Sequence, residues 1–167
     1  TDKIVVRKTL YLRHDQNTVI IRYQNISNQE IEMHVHPMLE WRNYHQQTKA
    51  FEVEKDWQDA ISKIVVNGAD GFEFKNKNDG SLYGYTDIGK FELKPCWSYN
   101  HYMVQDEERG MDPYGDCYIP GEFRLTFDDK HNEAILVFST DEPKPIYYHQ
   151  LFRNEIARQN DIVDFLP

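Results

Sequence analysis

Short runs of β-branched and aromatic residues recur along the chain, with polar turn residues between them. These runs predict strands over residues 4–12, 17–24, 30–40, 61–66, 71–75, 91–94, 99–104, 122–127 and 133–139. The intervening Asn, Asp and Gly residues accept the left-handed conformations of tight turns, and short links favour antiparallel neighbours. The pattern therefore predicts an all-β fold, an antiparallel β-sandwich.

The strand predicted from residue 30 shows a strict alternation. Apolar and polar positions alternate along it, with Ile31, Met33 and Val35 against Glu32, His34 and His36. Successive side chains of a strand point to opposite faces of its sheet. We therefore expect one face in the core and one polar face that is available for function.

The period changes near residue 148. Apolar residues then fall near helical spacing, at Leu151, Phe152, Ile156, Ile162, Val163 and Leu166. This spacing predicts an amphipathic helix over residues 148–166, and Pro143 and Pro145 predict a stiff break before it. We expect a sandwich domain over residues 1–142, followed over residues 143–167 by a linker and a connector helix that reaches away from it.

Length and charge narrow the class of protein. The 167 residues fit one domain, and 19 Lys and Arg against 28 Asp and Glu give a net charge of -9 without a basic segment. Binding to nucleic acid needs a concentrated basic face, so we expect no nucleic-acid partner. No apolar run has the length of a membrane span, and we expect no membrane partner. The start lacks Met and lies close to a predicted strand, which suggests a piece excised from a longer protein.

Residues 99–123 form the most distinctive segment, with five aromatic residues, six carboxylates and one arginine. We interpret it as a long site-bearing loop, because aromatic faces beside carboxylates and a guanidinium suit a sugar. The alternative is a structural loop pinned by an ion pair between Arg109 and Asp116. Cys96 and Cys117 flank the segment; we expect two reduced thiols, with a disulfide as the alternative.

Three groups of polar residues could carry chemistry. His34, His36 and Glu40 have the spacing of the first cupin metal motif, but the later histidine of that motif is missing, so solvated histidines without a metal are expected. The acid and base of a glycosidase could come from four carboxylates, Glu107, Glu108, Asp112 and Asp116. Four acids in one loop are more often solvated or paired with arginine, so we expect no catalytic residue.

Arg42, Tyr44 and His45 form the third group, at the end of the strand predicted from residue 30. Together they offer hydrogen-bond donors and a stacking face at a strand end, where sandwiches often carry binding groups. The alternative places Tyr44 in the core and pairs Arg42 with an acid of the long loop.

Several motifs, taken in order, resemble one family. They are Arg42-x-Tyr44-His45, Tyr102, Glu108-Arg109-Gly110 and Asp116-x-x-x-Pro120-Gly121-x-Phe123. Their conjunction resembles the N-terminal domain of the bacterial and archaeal type of glycogen debranching enzyme, an amylo-α-1,6-glucosidase. Gly115 departs from the pattern, since the family usually has an acidic pair at this point.

The resemblance implies a β-supersandwich ahead of a helical toroid that carries the glucosidase chemistry, with the C-terminal helix as the connector to this absent catalytic domain. It also implies a glycogen-like α-glucan substrate. We expect no cofactor and a cytoplasmic location. Eight residues are expected on a surface that faces glucan or the catalytic domain: Arg42, Tyr44, His45, Trp97, Tyr102, Glu108, Arg109 and Asp116. The alternatives are a stand-alone carbohydrate-binding module and a cupin-like metalloenzyme.

Overall fold

The computed structural model describes residues 3–27, 29–77, 79–143 and 148–164. Its strands and helices are β1 (Val6–Leu12), β2 (Thr18–Asn25), β3 (Ile31–Val35), α1 (Ala50–Ala60), β4 (Ile61–Val66), β5 (Ala69–Asn76), β6 (Gly80–Thr86), β7 (Lys90–Tyr102), α2 (Val104–Glu108), β8 (Tyr114–Phe127), β9 (Glu133–Ser139) and α3 (Tyr148–Asp164). The strands form two antiparallel sheets, one in the order β1-β2-β9-β6-β5-β4 and one in the order β3-β8-β7. The predicted β-rich sandwich is confirmed.

The core between the two sheets is strongly aromatic. Phe72 of β5 lies 5.2 Å from Phe91 of β7 and 6.2 Å from Phe123 of β8, measured between ring centroids. All three side chains are fully buried. The alternation predicted for β3 is also confirmed, because Ile31 and Met33 pack against this core while the intervening polar residues are exposed. Burial of these rings supplies most of the driving force for packing the two sheets.

Several of the predicted strands have different bounds in the structure; β8, for example, begins at Tyr114 rather than at residue 122. The strand predicted over residues 30–40 ends at Val35, and Leu39 then makes an isolated bridge with Tyr118 of β8. The two strands predicted over 91–94 and 99–104 are one irregular strand, β7. The segment 99–123 is therefore mostly a β-hairpin rather than a long loop, and only residues 103–113 connect its strands.

Helix α1 was not predicted from the sequence. Ala50, Val53 and Trp57 recur at helical spacing and turn toward the core, while the residues between them are mostly exposed. Trp57 is 6% exposed and lies 4.9 Å from Phe74 of one sheet and 5.7 Å from Tyr118 of the other. The helix thus closes one end of the sandwich by inserting this ring between the sheets.

Helix α3 lies against the outer face of the six-stranded sheet. The Phe152 ring packs edge-on against Tyr11 of β1, with 5.1 Å between centroids, and the Arg22 guanidinium of β2 lies 4.6 Å from the ring centre. One turn later Glu155 is buried and paired with Arg158. This part of the helix therefore stays on the sandwich, in contrast to the expectation that the helix reaches away from it.

Further along α3, Ile156 and Ile162 remain exposed, so part of the predicted apolar stripe faces solvent. Pro145 and Leu166 of the predicted linker and helix lie outside the described residues.

Among the helices that the structure describes, none is long and apolar enough to cross a membrane. Cys96 is an exposed free thiol and Cys117 a buried one, and burial raises the pKa of Cys117 to about 11.

Candidate functional site

A buried carboxylate organises one end of the sandwich. Asp106 of α2 is 1% exposed, and its Oδ2 accepts hydrogen bonds from Arg42 Nη2 at 2.9 Å and from Gln47 Nε2 at 2.6 Å. Arg109 Nη2 donates to its other oxygen, Oδ1. We call these four side chains the Asp106 cluster. It connects residues 42–47, which have no regular secondary structure, to the β7–β8 hairpin.

The charge on Asp106 is well compensated. The hydrogen bond from Gln47, together with the positive charges of Arg42 and Arg109, holds the pKa of Asp106 below its ordinary value, against the opposing effect of burial. The group is therefore a carboxylate near neutral pH. The alternative in which Arg42 pairs with an acid of the hairpin is what the structure shows, but Tyr44 is 62% exposed and does not belong to the core.

Aromatic side chains surround this cluster at the surface. The Arg109 guanidinium lies 4.3 Å from the centre of the exposed Tyr44 ring, and His45 contacts the same ring edge-on at 5.1 Å. On the hairpin, Tyr102 and Tyr114 lie 5.5 Å apart and are 48% and 43% exposed. We call Tyr44, His45, Tyr102, Arg109 and Tyr114 the rim. Tyr44 lies beside the guanidinium of Arg109, and Tyr102 and Tyr114 expose their rings on the hairpin.

The hairpin side of the rim is held by a further carboxylate. Tyr102 donates its hydroxyl hydrogen to Glu107 of α2, and this bond raises the pKa of the phenol. Glu108, the next residue, is exposed. Among the described residues, no side chain bonds the Glu108 carboxylate.

Asp116 has a structural environment. Its Oδ2 accepts the backbone N–H of Ala50, the first residue of α1, and its Oδ1 accepts the N–H of Asn100, each at 2.9 Å. Asn100 has a positive φ of 62°, in an irregular part of β7. Asp116 therefore caps a helix and supports a strained backbone position. Arg109 pairs with Asp106 instead, and among the described residues it makes no ion pair with Asp116, which the structural alternative for this segment required.

Trp97 lies apart from the rim residues. Its ring stacks on Trp57 at 5.3 Å and packs against Tyr118 at 5.1 Å. The structure therefore places Trp97 at the edge of the core, beneath α1. Trp57, but not Trp97, lines a cleft of about 430 Å³, which opens between α1 and residues 41–49.

The histidines of the cupin-like motif contact other partners. Both ring nitrogens of His34 lie at hydrogen-bond distance from a carboxylate. Nδ1 lies 3.1 Å from Glu122 Oε2, and Nε2 lies 2.9 Å from Glu32 Oε1. His36 approaches Glu122, whereas Glu40 pairs with Arg42. In the part of the chain that the structure describes, no three His, Cys, Asp or Glu side chains are arranged to hold a metal ion.

Sequence reasoning missed three residues at this end of the molecule. Asp106 was one of six acids in its segment, and nothing in its neighbours marks it as the buried one. Gln47 was missed because its partner Asp106 lies 59 positions away in the chain. Tyr114 was missed although its partner Tyr102 lies in the same segment. Which amide bonds a buried acid is decided only by the fold.

These features define a class before any comparison: a β-sandwich domain with a rigid, charged and aromatic surface at one end. The family model described as glycogen debranching enzyme N terminal matches residues 1–133. The chain belongs to this family of N-terminal domains of glycogen debranching enzymes. The searches of curated proteins and of solved structures found no match.

Proposed function

We propose that this domain assists α-glucan binding in a glycogen debranching enzyme and packs against the helical glucosidase domain of the same enzyme, without catalysing the reaction itself. The family membership supports the parent activity. The observation that carries the rest is the rim. Tyr44 packs on Arg109, which the buried Asp106 holds, and Tyr102 bonds Glu107, so exposed rings are held in place where a partner can stack on them.

The carboxylates near the rim support a non-catalytic role. Asp106 is buried under two arginines, and Asp112 accepts from Lys49 at 3.0 Å. Asp116 accepts two backbone N–H groups, and Glu107 accepts the Tyr102 hydroxyl. A general acid or nucleophile needs a free path to the sugar, and these four groups are already used in holding the structure.

A titration of this chain with maltotriose, followed by amide NMR, tests the glucan-binding part. We expect a dissociation constant of about 1 mM, because an open surface gains little beyond stacking and exposed hydrogen bonds. Tyr44→Ala and Tyr102→Ala should each weaken binding about fivefold. Tyr99→Ala is the matched control, since Tyr99 is a similarly exposed tyrosine of β7 outside the rim. Absence of any shift at tens of millimolar sugar would leave only the packing role.

The non-catalytic part is tested separately, by a reducing-sugar assay of this chain on a limit dextrin. No release of sugar is expected. Turnover that disappears in Glu108→Gln would overturn this part, because Glu108 is the exposed acid of the hairpin without a side-chain partner among the described residues.

A further inference from the structure

A cleft adjoins the Asp106 cluster on the α1 side. Arg42 and Gln47 belong to both features, because they bond Asp106 and also line the cleft. With a volume of about 430 Å³ it falls in the range of small-ligand sites. Arg42 and Gln47 thus form a wall that the Asp106 cluster and the cleft have in common, and a ligand on the rim could extend along it into the cleft.

The floor of the cleft is aromatic. Trp41 and Trp57 both line it, and both pack on Phe74 from β5, at 6.1 Å and 4.9 Å between centroids. Trp57 is buried, whereas Trp41 keeps part of its surface exposed. Indole faces of this kind attract flat apolar surfaces, including the CH face of a sugar ring.

The cations of the cleft are already paired. Lys49 Nζ donates to Asp112 Oδ2 at 3.0 Å and to the Tyr114 carbonyl at 2.7 Å. Arg42 donates to Asp106 and, through Nη1, to the Gln46 carbonyl at 2.7 Å. An anionic ligand would have to compete with these internal partners, so the cleft has little to offer it.

Two further polar side chains of the cleft suit a neutral ligand. Gln46 and Glu52 are exposed at the cleft, and no other described side chain bonds theirs. An amide can donate and accept, and a carboxylate accepts from hydroxyl groups, often from two at once. A tryptophan floor with amide and carboxylate walls is complementary to a polyhydroxylated, uncharged ring.

We propose that this cleft is a second carbohydrate subsite, in which Trp41 stacks on a sugar ring while Gln46 and Glu52 bind its hydroxyls. The proposal rests on the glucan-binding function proposed above and extends it from the rim to the α1 side of Arg42. One glucan chain would then contact both, and affinity should rise with the length of the oligosaccharide.

The test is a titration of this chain with maltose and with maltopentaose, observed at the indole N–H signals and assigned with Trp41→Phe. We expect the Trp41 signal to shift, and maltopentaose to bind about tenfold more tightly than maltose. Gln46→Ala and Glu52→Ala should each weaken binding of maltopentaose about threefold. Glu54→Ala is the control, because Glu54 is an exposed acid of the same helix that does not line the cleft.

The outcomes separate the two proposals. If the rim variants weaken binding while Gln46→Ala and Glu52→Ala match Glu54→Ala, the cleft proposal is wrong and the rim proposal stands. If the cleft variants alone weaken binding, the cleft proposal stands and the glucan site is assigned to the cleft instead of the rim. An unchanged Trp41 signal at tens of millimolar maltopentaose overturns the cleft proposal. A Trp41 shift caused equally by inorganic phosphate would overturn its assignment to a neutral ligand.

Discussion

Asp106 and Glu122 are both carboxylates with at least two cationic or imidazole partners, but they connect different kinds of backbone. Asp106 joins Arg42 and Gln47, which lie in irregular structure, to α2. Glu122 of β8 contacts His34 of β3 and Arg124 of its own strand. His34 and Arg124 are already opposite each other in the β3–β8 ladder.

From this contrast we expect an ion pair to stabilise the fold most where nothing else fixes its members. Backbone hydrogen bonds hold the partners of Glu122 before their side chains meet, so the pairs there add little order. Asp106 supplies the order itself, in a site where its loss would leave the partly buried Arg42 with a single carboxylate partner, Glu40, among the described residues. Solvent also reaches much of His34 and Arg124, which weakens those pairs further.

The largest effect is expected from Asp106→Ala. The change leaves Arg42, Gln47 and Arg109 without their common acceptor, so we expect the melting temperature to fall by on the order of 10 °C. Hydrogen exchange should rise over residues 41–49 and much less in β3. Glu108→Ala is the control on the same helix, and an equal loss in the two variants would contradict the role given to Asp106.

A smaller effect is expected from Gly115→Ala, which crowds the cluster without removing it. A Cβ at this position would lie 2.8 Å from Gln47 Oε1 and 3.5 Å from Glu40 Oε1. Gln47 can yield only by straining its bonds to Asp106 and the Asp112 carbonyl, so the melting temperature should fall by about 3 to 5 °C.

Gly115→Ala should lower the melting temperature clearly less in a Gln47→Ala background, because the clash with the Gln47 side chain is then gone. Thermal melts of the two single variants and the double variant measure this coupling. Additive losses would show that Gly115 has another role.

The smallest effect is expected from Glu122→Gln, at less than about 3 °C near neutral pH. Hydrogen bonds from His34 and Arg124 lower the pKa of Glu122 from 4.5 to about 2. A depressed pKa stabilises the fold above the ordinary pKa of the group, and this contribution is lost as the pH falls from about 4.5 to about 2. The difference between variant and parent melts should therefore shrink over that range.

The partner of Glu122 should respond in the opposite direction. The hydrogen bonds to Glu122 and Glu32 raise the pKa of His34, so this group stabilises the fold at low pH and loses its effect as the pH rises through the raised pKa. NMR titration of His34 should show a lower pKa in Glu122→Gln than in the parent chain. An unchanged His34 pKa would mean that the two side chains do not interact in solution.

Most of the β-structure could be predicted from the sequence, and the misses have physical reasons. Strand β6 was missed because it contains Gly80 and Gly84, which weaken a strand signal. In the sheet, the Phe72 ring fills the space of a Gly84 side chain, since a Cβ there would lie 2.5 Å from Phe72 Cε1. Helix α1 was missed because Lys49 offers no side-chain cap, and Asp116 caps it from 66 positions away.

The sequence by itself determined most of the strands, which face of β3 enters the core, and to which family the chain belongs. These depend on local periodicity and on residue types in a fixed order, and both are visible in one dimension. Only the tertiary structure decided which of six acids in one segment is buried, that Trp97 packs beneath α1, and that Phe152 holds α3 on the sheet. Those outcomes depend on partners far apart in the chain, such as Arg42 and Asp106 at a separation of 64 residues. The local sequence carries no signal of such long-range contacts.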